Sequence, residues 1–215
     1  MMKTQRIVIL GAGGDGLVIA GAVENLARSG KEVMVAGFLD DSQNEEAFFE
    51  GYPLLGTLDE WGFLDSDIQF IPAIQKVGDM ARRATRIEGL GIPTERWTSI
   101  IHPQTMISDT AQIGRGVYIA AFCTLQPRCR IHDFSSLRAG AALGHDTTVS
   151  RHGYIGPNAV MCGRSALGVG AHLGPGAVLL DGRCLGDYAI AGINAGITKD
   201  VPPYGVVMGN PAKRT

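Results

Sequence analysis

The chain has 215 residues, with 19 basic against 21 acidic side chains and a formal charge of −2. That balance excludes a strongly basic surface, so no nucleic-acid partner is expected. Its four cysteines lack paired CxxC spacing, its apolar runs are too short for a bilayer and no leader is read at its start, so a cytoplasmic, reduced protein without membrane insertion is expected.

The first hundred residues alternate strand and helix patterns. Arg6 to Leu10 is a buried-strand run, followed by Gly11-Ala12-Gly13-Gly14-Asp15-Gly16 and a helical pattern to about Arg28, closed by Ser29-Gly30. A second strand, Val33 to Leu39, ends in the carboxylates Asp40 and Asp41. Residues 68–74 read as a third strand, 79–89 as a second helix and 97–101 as a last strand before His102-Pro103. Such alternation predicts a small Rossmann-like parallel α/β domain over 1–103.

Gly11, Gly13 and Gly16 form a G-x-G-x-x-G between strand and helix, where a phosphate could reach the helix N-terminus. Asp40 stands where a ribose-binding acid would. Three readings compete: an NAD site, a site for another diphosphate such as a nucleotide-linked sugar, and a tight turn without ligand. The domain is short for a full dinucleotide fold, which favours the nucleotide sugar.

From residue 104 onward the grammar changes. A large apolar residue recurs every six positions, fourteen times without a slip, from Ile107 through Leu143 and Met161 to Leu185. Four residues after each stands a smaller inward candidate, among them Cys123 and Cys129, read as packed thiols; only Arg183 breaks this second column. Neither a helix nor an alternating strand has this period; a parallel β-helix over 104–215 does. The 30 glycines, many of them in the repeat, fit corners that need positive φ or close approach.

Three hexads make one coil, so residues eighteen apart stack at a strand spacing of about 4.8 Å. Pro127, His145, Gly163 and Asp181 form one column, which puts the His145 ring beside a backbone without a side chain. A base next to a free N–H is what acyl transfer requires. An outward histidine with no role is equally compatible with the spacing. Asp146 falls between Arg128 and Arg164, either as support for His145 or as part of a charge ladder, and His172 stacks beside Tyr154 as a polar surface pair. No His, Cys or carboxylate set has metal-ligand spacing, so no metal is assigned.

The GAGGxG-type α/β domain with its FLDD strand end, the hexads, Gly144-His145-Asp146 and the closing segments Thr198 to Tyr204 and Gly209 to Arg214 resemble the bacterial sugar O/N-acyltransferases. That family includes sialic acid O-acetyltransferases and N-acetyltransferases of nucleotide-linked 4-amino sugars. The resemblance implies a left-handed β-helix and a homotrimer with acetyl-CoA in the groove between neighbouring helices. It implies His145 as general base, Asp146 as its support and Gly163 as the thioester-carbonyl donor. Gly13, Gly14, Asp40 and Asp41 match positions around the nucleotide sugar. Gly163, Pro175 and Ile193 match positions beside CoA, with Lys213 and Arg214 as partners for its phosphates or as a solvated charge pair.

Two residues depart from the family pattern. Asp15 replaces a histidine in the glycine loop, and Arg138 replaces an asparagine facing the acceptor. Arg138 could pair with an acceptor carboxylate or phosphate, or repel a cationic amine. The leading expectation is N-acetylation of a nucleotide-linked amino sugar. The alternatives are O-acetylation of a sialic-acid-like sugar and a non-catalytic β-helix binding protein; a NAD oxidoreductase ranks below these because no second catalytic domain is present.

Overall fold

The structure is a computed structural model describing residues 4–42, 48–75 and 78–215. Strand β1 (Gln5–Leu10) runs parallel between β2 (Val33–Leu39) and β3 (Gln69–Pro72). Helix α1 (Gly14–Arg28) follows β1, and α2 (Met80–Gly89) follows β3. The central strand reads as a continuous apolar run because both of its faces are covered. Ile7 and Ile9 pack with Ile19 and Val23 of α1, while Val8 and Leu10 pack with Phe70 and with Ile87 of α2. Gly30, at φ +91°, supplies the left-handed residue that ends α1.

The expected last strand, 97–101, is divided between two sheets. Trp97 makes one bridge to Phe70 of β3, whereas Ile100–Ile101 already pairs with Tyr118–Ile119 of the β-helix. The segment leaves one sheet and enters the next, and therefore forms no single strand.

From there the chain winds as a triangular β-helix of two-residue rungs. The first face holds six parallel rungs, from Met106–Ile107 to Gly196–Ile197, and the second holds five, from Gln112–Ile113 to Cys184–Leu185. The third face begins at Ile100–Ile101 and carries the N-terminal domain against it; α1 contacts its first rung. The register is eighteen residues per coil, as in Thr124↔Ala142 and Leu125↔Leu143. It shortens only at the closing coil, where Ile190 pairs with Val206 after Pro202-Pro203.

Both inward columns are buried, from Ile119 and Cys123 through to Leu185 and Ala189. Each large hexad residue removed from water contributes ~1.5–3 kcal/mol, so the repeat is itself the core. The sulfurs of Cys123 and Cys129 lie inside, each donating to a backbone carbonyl, as expected of packed thiols. Arg183 escapes to the surface, where it lies 3.8 Å from Asp200.

Glycine serves both expected needs in the repeat, positive φ and close approach, without holding every left-handed corner. Every sixth residue from Gly116 to Asn194 has positive φ, yet non-glycine residues including Phe134, Asp146 and His152 hold most of those positions. Close approach explains other glycines: a Cβ on Gly144 would stand 2.6 Å from the amide nitrogen of Gly163.

Candidate active site

His145 occupies the corner between the first and second faces, on a turn that begins at Gly144. Its Nδ1 lies 2.7 Å from Asp146 Oδ2, and its side chain remains 43% exposed. A carboxylate accepts from an imidazole N–H, so this contact places the ring proton on Nδ1 and leaves a lone pair on Nε2. That nitrogen leans over Gly163, where an added Cβ would come within 2.7 Å of it. Among the described residues the Gly163 N–H donates to no protein acceptor. The eighteen-residue arithmetic is correct at this column: the His145 ring and bare backbone are adjacent.

Asp146 adopts φ +61°, a left-handed conformation that Asp tolerates better than most side chains. Arg128 grips its carboxylate with two bonds, 2.6 and 2.8 Å. These bonds, and then the one from His145, hold the Asp146 carboxyl well below the usual carboxylate range, so it stays an anion. The expected second arginine is not there. Arg164 turns instead to Asp181 of the next coil, while Arg128 already holds both oxygens of Asp146.

At the opposite edge of the first face the two unusual residues meet. Arg138 Nη2 lies 2.5 Å from Asp15 Oδ1, joining the start of α1 to the β-helix. Its guanidinium also lies over the Tyr118 ring at 5.6 Å. Tyr154 and His172 stack beside this point with centroids 4.4 Å apart, as the spacing predicts. The pair is not on the coil surface, however: His172 is buried, which pushes its pKa down to about 4.

The glycine loop divides by physical need. Gly11 has φ +118°, and a Cβ on Gly16 would strike Phe38 at 2.9 Å, so backbone and packing account for both. Gly13 and Gly14 have no such constraint; a Cβ on either would meet only open space. No side chain caps α1. The Asp40 carboxylate accepts from the Ala12 N–H at 2.6 Å and shapes the loop. Asp41 accepts from the Leu58 N–H at 3.0 Å and is bound by Arg86 at 2.8 Å. Beside them opens a cleft of about 620 Å³, lined by Gly11, Asp40, Ile74, Arg82, Arg83 and Arg86 among others. It lies at the carboxyl ends of the parallel strands, where α/β sheets bind ligands.

Three features had no equivalent in the sequence reading. Arg83 is buried, donates to the carbonyls of Ile74 and Phe134, and lies 2.8 Å from His152 Nδ1, while His152 Nε2 lies 2.9 Å from Glu88. Burial pushes the Arg83 guanidinium down to about 10 and lowers the His152 ring below its ordinary value. Arg82 and Arg86 line the cleft; the spacing in Arg82-Arg83-x-x-Arg86 was the available signal. Finally, the outward side of the first face is apolar, with Met106 and Val178 exposed on it and Phe122 and Leu180 at its margins.

The remaining predicted residues are spread out. Pro175 and the exposed Ile193 share one column on the Arg138 edge, so the first face separates them from Gly163. Lys213 is exposed in a short strand with Arg214, paired to Val206–Met208. Arg214, but not Lys213, lines a terminal cleft of about 200 Å³ with Lys199 and Thr198. Among the described residues no three His, Cys, Asp or Glu side chains converge as a metal set, and no helix is long and apolar enough to cross a membrane.

The described residues form a parallel α/β domain docked on a hexapeptide β-helix with an open histidine at its corner, and proteins of known structure share this architecture. Residues 6–90 match the PglD N-terminal domain. The acetyltransferase domain of PglB from Neisseria gonorrhoeae, solved with acetyl coenzyme A, is 28% identical with a TM-score of 0.86, over 99% of this chain and all of that one. PerB from Caulobacter crescentus, solved with CoA and GDP-perosamine, is 25% identical with a TM-score of 0.81, over 97% and 96% of the two chains. A curated relative, the dTDP-3-amino-3,6-dideoxy-alpha-D-galactopyranose 3-N-acetyltransferase of Aneurinibacillus thermoaerophilus, is 37% identical over 51 residues, 24% of this chain and 27% of its own length. The first curated relatives are matched over only 24% to 42% of their lengths. In its N-terminal domain and its architecture the chain is similar to these proteins.

Proposed function

We propose that this protein transfers the acetyl group of acetyl-CoA to the amine of a nucleotide-linked amino sugar. The observation that carries the reading is the His145 ring, fixed by Asp146 at Nδ1 and open at Nε2 beside the Gly163 N–H. His145 Nε2 takes a proton from the acceptor amine as its nitrogen attacks the thioester carbonyl. The Gly163 N–H receives the oxyanion of the tetrahedral intermediate. When the C–S bond breaks, the imidazolium returns the proton to the departing CoA sulfur, and Asp146, still anionic, stabilises the ring throughout. Positioned acid–base catalysis of this kind contributes about 10²–10⁴-fold.

Gly13 and Gly14 offer bare backbone at the α1 N-terminus for a diphosphate, with Asp40, Asp41 and the arginines of α2 around the nucleotide. The ligands in the PglB and PerB structures support both substrates.

A homotrimer fits the same geometry. Within one chain His145 and Gly163 stand at one edge of the first face, and Pro175, Ile193 and Arg138 at the other. Edges of neighbouring copies brought together would complete the site, and the apolar first face would be covered. The test is thiol release from acetyl-CoA with a panel of nucleotide-linked amino sugars and with free sialic acid. Release with one of the former is expected; release with sialic acid alone, or with nothing, would overturn the reading.

A further inference from the structure

We infer that the Asp15–Arg138 pair is a charge filter, which admits acceptor sugars without a carboxylate and rejects acidic ones. The inference rests on the acetyl-transfer reading above and deepens it by naming the acceptor class.

Position comes first. Asp15 follows Gly13-Gly14, the open backbone at the start of α1, so a sugar hung from a diphosphate there lies next to it. Arg138 is at the edge of the first face that meets the N-terminal domain, opposite the Gly144–His145 edge of its own chain. The pair thus ties the loop proposed to hold the diphosphate to the edge of the β-helix.

Chemistry decides what the pair accepts. The Arg138 side chain is only 12% exposed, and the Tyr118 ring beneath it limits any swing toward solvent. Alone, such a guanidinium would draw a carboxylate and repel an ammonium group. Asp15 cancels its charge but occupies only one of five N–H donors. Among the described residues no other acceptor is bonded to it, so the remaining donors are available to neutral sugar hydroxyls. An acidic sugar gains nothing from the compensated guanidinium and is repelled by Asp15.

The test uses the glucose and glucuronate conjugates of whichever nucleotide the acetyl-transfer assay selects, as competitive inhibitors of full-length enzyme. They differ by one carboxylate. The wild type should prefer the glucose conjugate. Asp15→Asn should shift the ratio of inhibition constants toward glucuronate by about tenfold or more, the size of a charged hydrogen bond gained. Arg138→Gln should shift it the other way by leaving Asp15 unopposed, and Asp15→Glu should keep the wild-type ratio. A merely structural tie between domains would weaken both inhibitors together, and an unchanged ratio in both Asp15→Asn and Arg138→Gln would overturn the filter. Should the wild type acetylate no nucleotide-linked amino sugar, the functional reading itself fails and the filter with it.

Discussion

Two histidines stand at corners of the β-helix with a carboxylate in reach, and only one is equipped for chemistry. His145 spends one ring nitrogen on Asp146 and leaves the other in open space over Gly163. His152 is buried, with one nitrogen against Arg83 and the other against Glu88. The first keeps a nitrogen open, as the proposed general base requires; the second joins α2 to the β-helix. A His–carboxylate contact thus marks a site only where a nitrogen remains free and a reacting atom has room.

The comparison can be broken most sharply by removing each ring. His145→Ala should lower turnover about 10³-fold with an unchanged Tm, since an exposed side chain carries little of the fold. Near-wild-type turnover in that variant would end the distinction.

Acid should act on stability through the buried rings. Burial holds His172 at about 4 and His152 below its ordinary value, so the folded chain resists protons that the unfolded chain binds from about pH 6.5 downward. Stability is therefore complete above pH 6.5 and declines as the pH falls, until the folded-state values are passed. His172 alone should remove about 3 kcal/mol between pH 6.5 and 4. His172→Phe, which keeps the stack on Tyr154, should flatten that part of the decline in denaturant titrations; an unaltered decline would assign it elsewhere.

His152→Ala should give the inverse of the first variant. The loss of its bonds leaves Arg83 short of a partner and costs about 2 kcal/mol of stability, while turnover per folded molecule is retained. A change in turnover at constant Tm would contradict the division.

What the sequence disclosed follows the range of its signals. The hexad is a local period repeated many times, so coils, columns and the His145–Gly163 contact could be counted from it. The same counting set Arg164 one coil from Asp146, yet its side chain goes to Asp181, because a column gives backbone neighbours and cannot choose which carboxylate a long side chain reaches. Glycines mark only part of the left-handed corners, since Asp146 and His152 tolerate that conformation as well. Contacts made by docking the two domains carry no period at all. Asp15 and Arg138 lie 123 residues apart, so each stood out as an oddity while their pairing stayed hidden. Arg83 and His152, 69 apart, gave no signal for the same reason.

The central claim is that the free Nε2 of His145 moves the proton in acetyl transfer. Its most direct test is chemical rescue: thiol release from acetyl-CoA by His145→Gly, with the acceptor sugar, in the absence and presence of added imidazole. The account predicts negligible release without imidazole and a saturable return of activity with it, and none in a variant that also carries Gly163→Val. Wild-type release by His145→Gly without imidazole would contradict it.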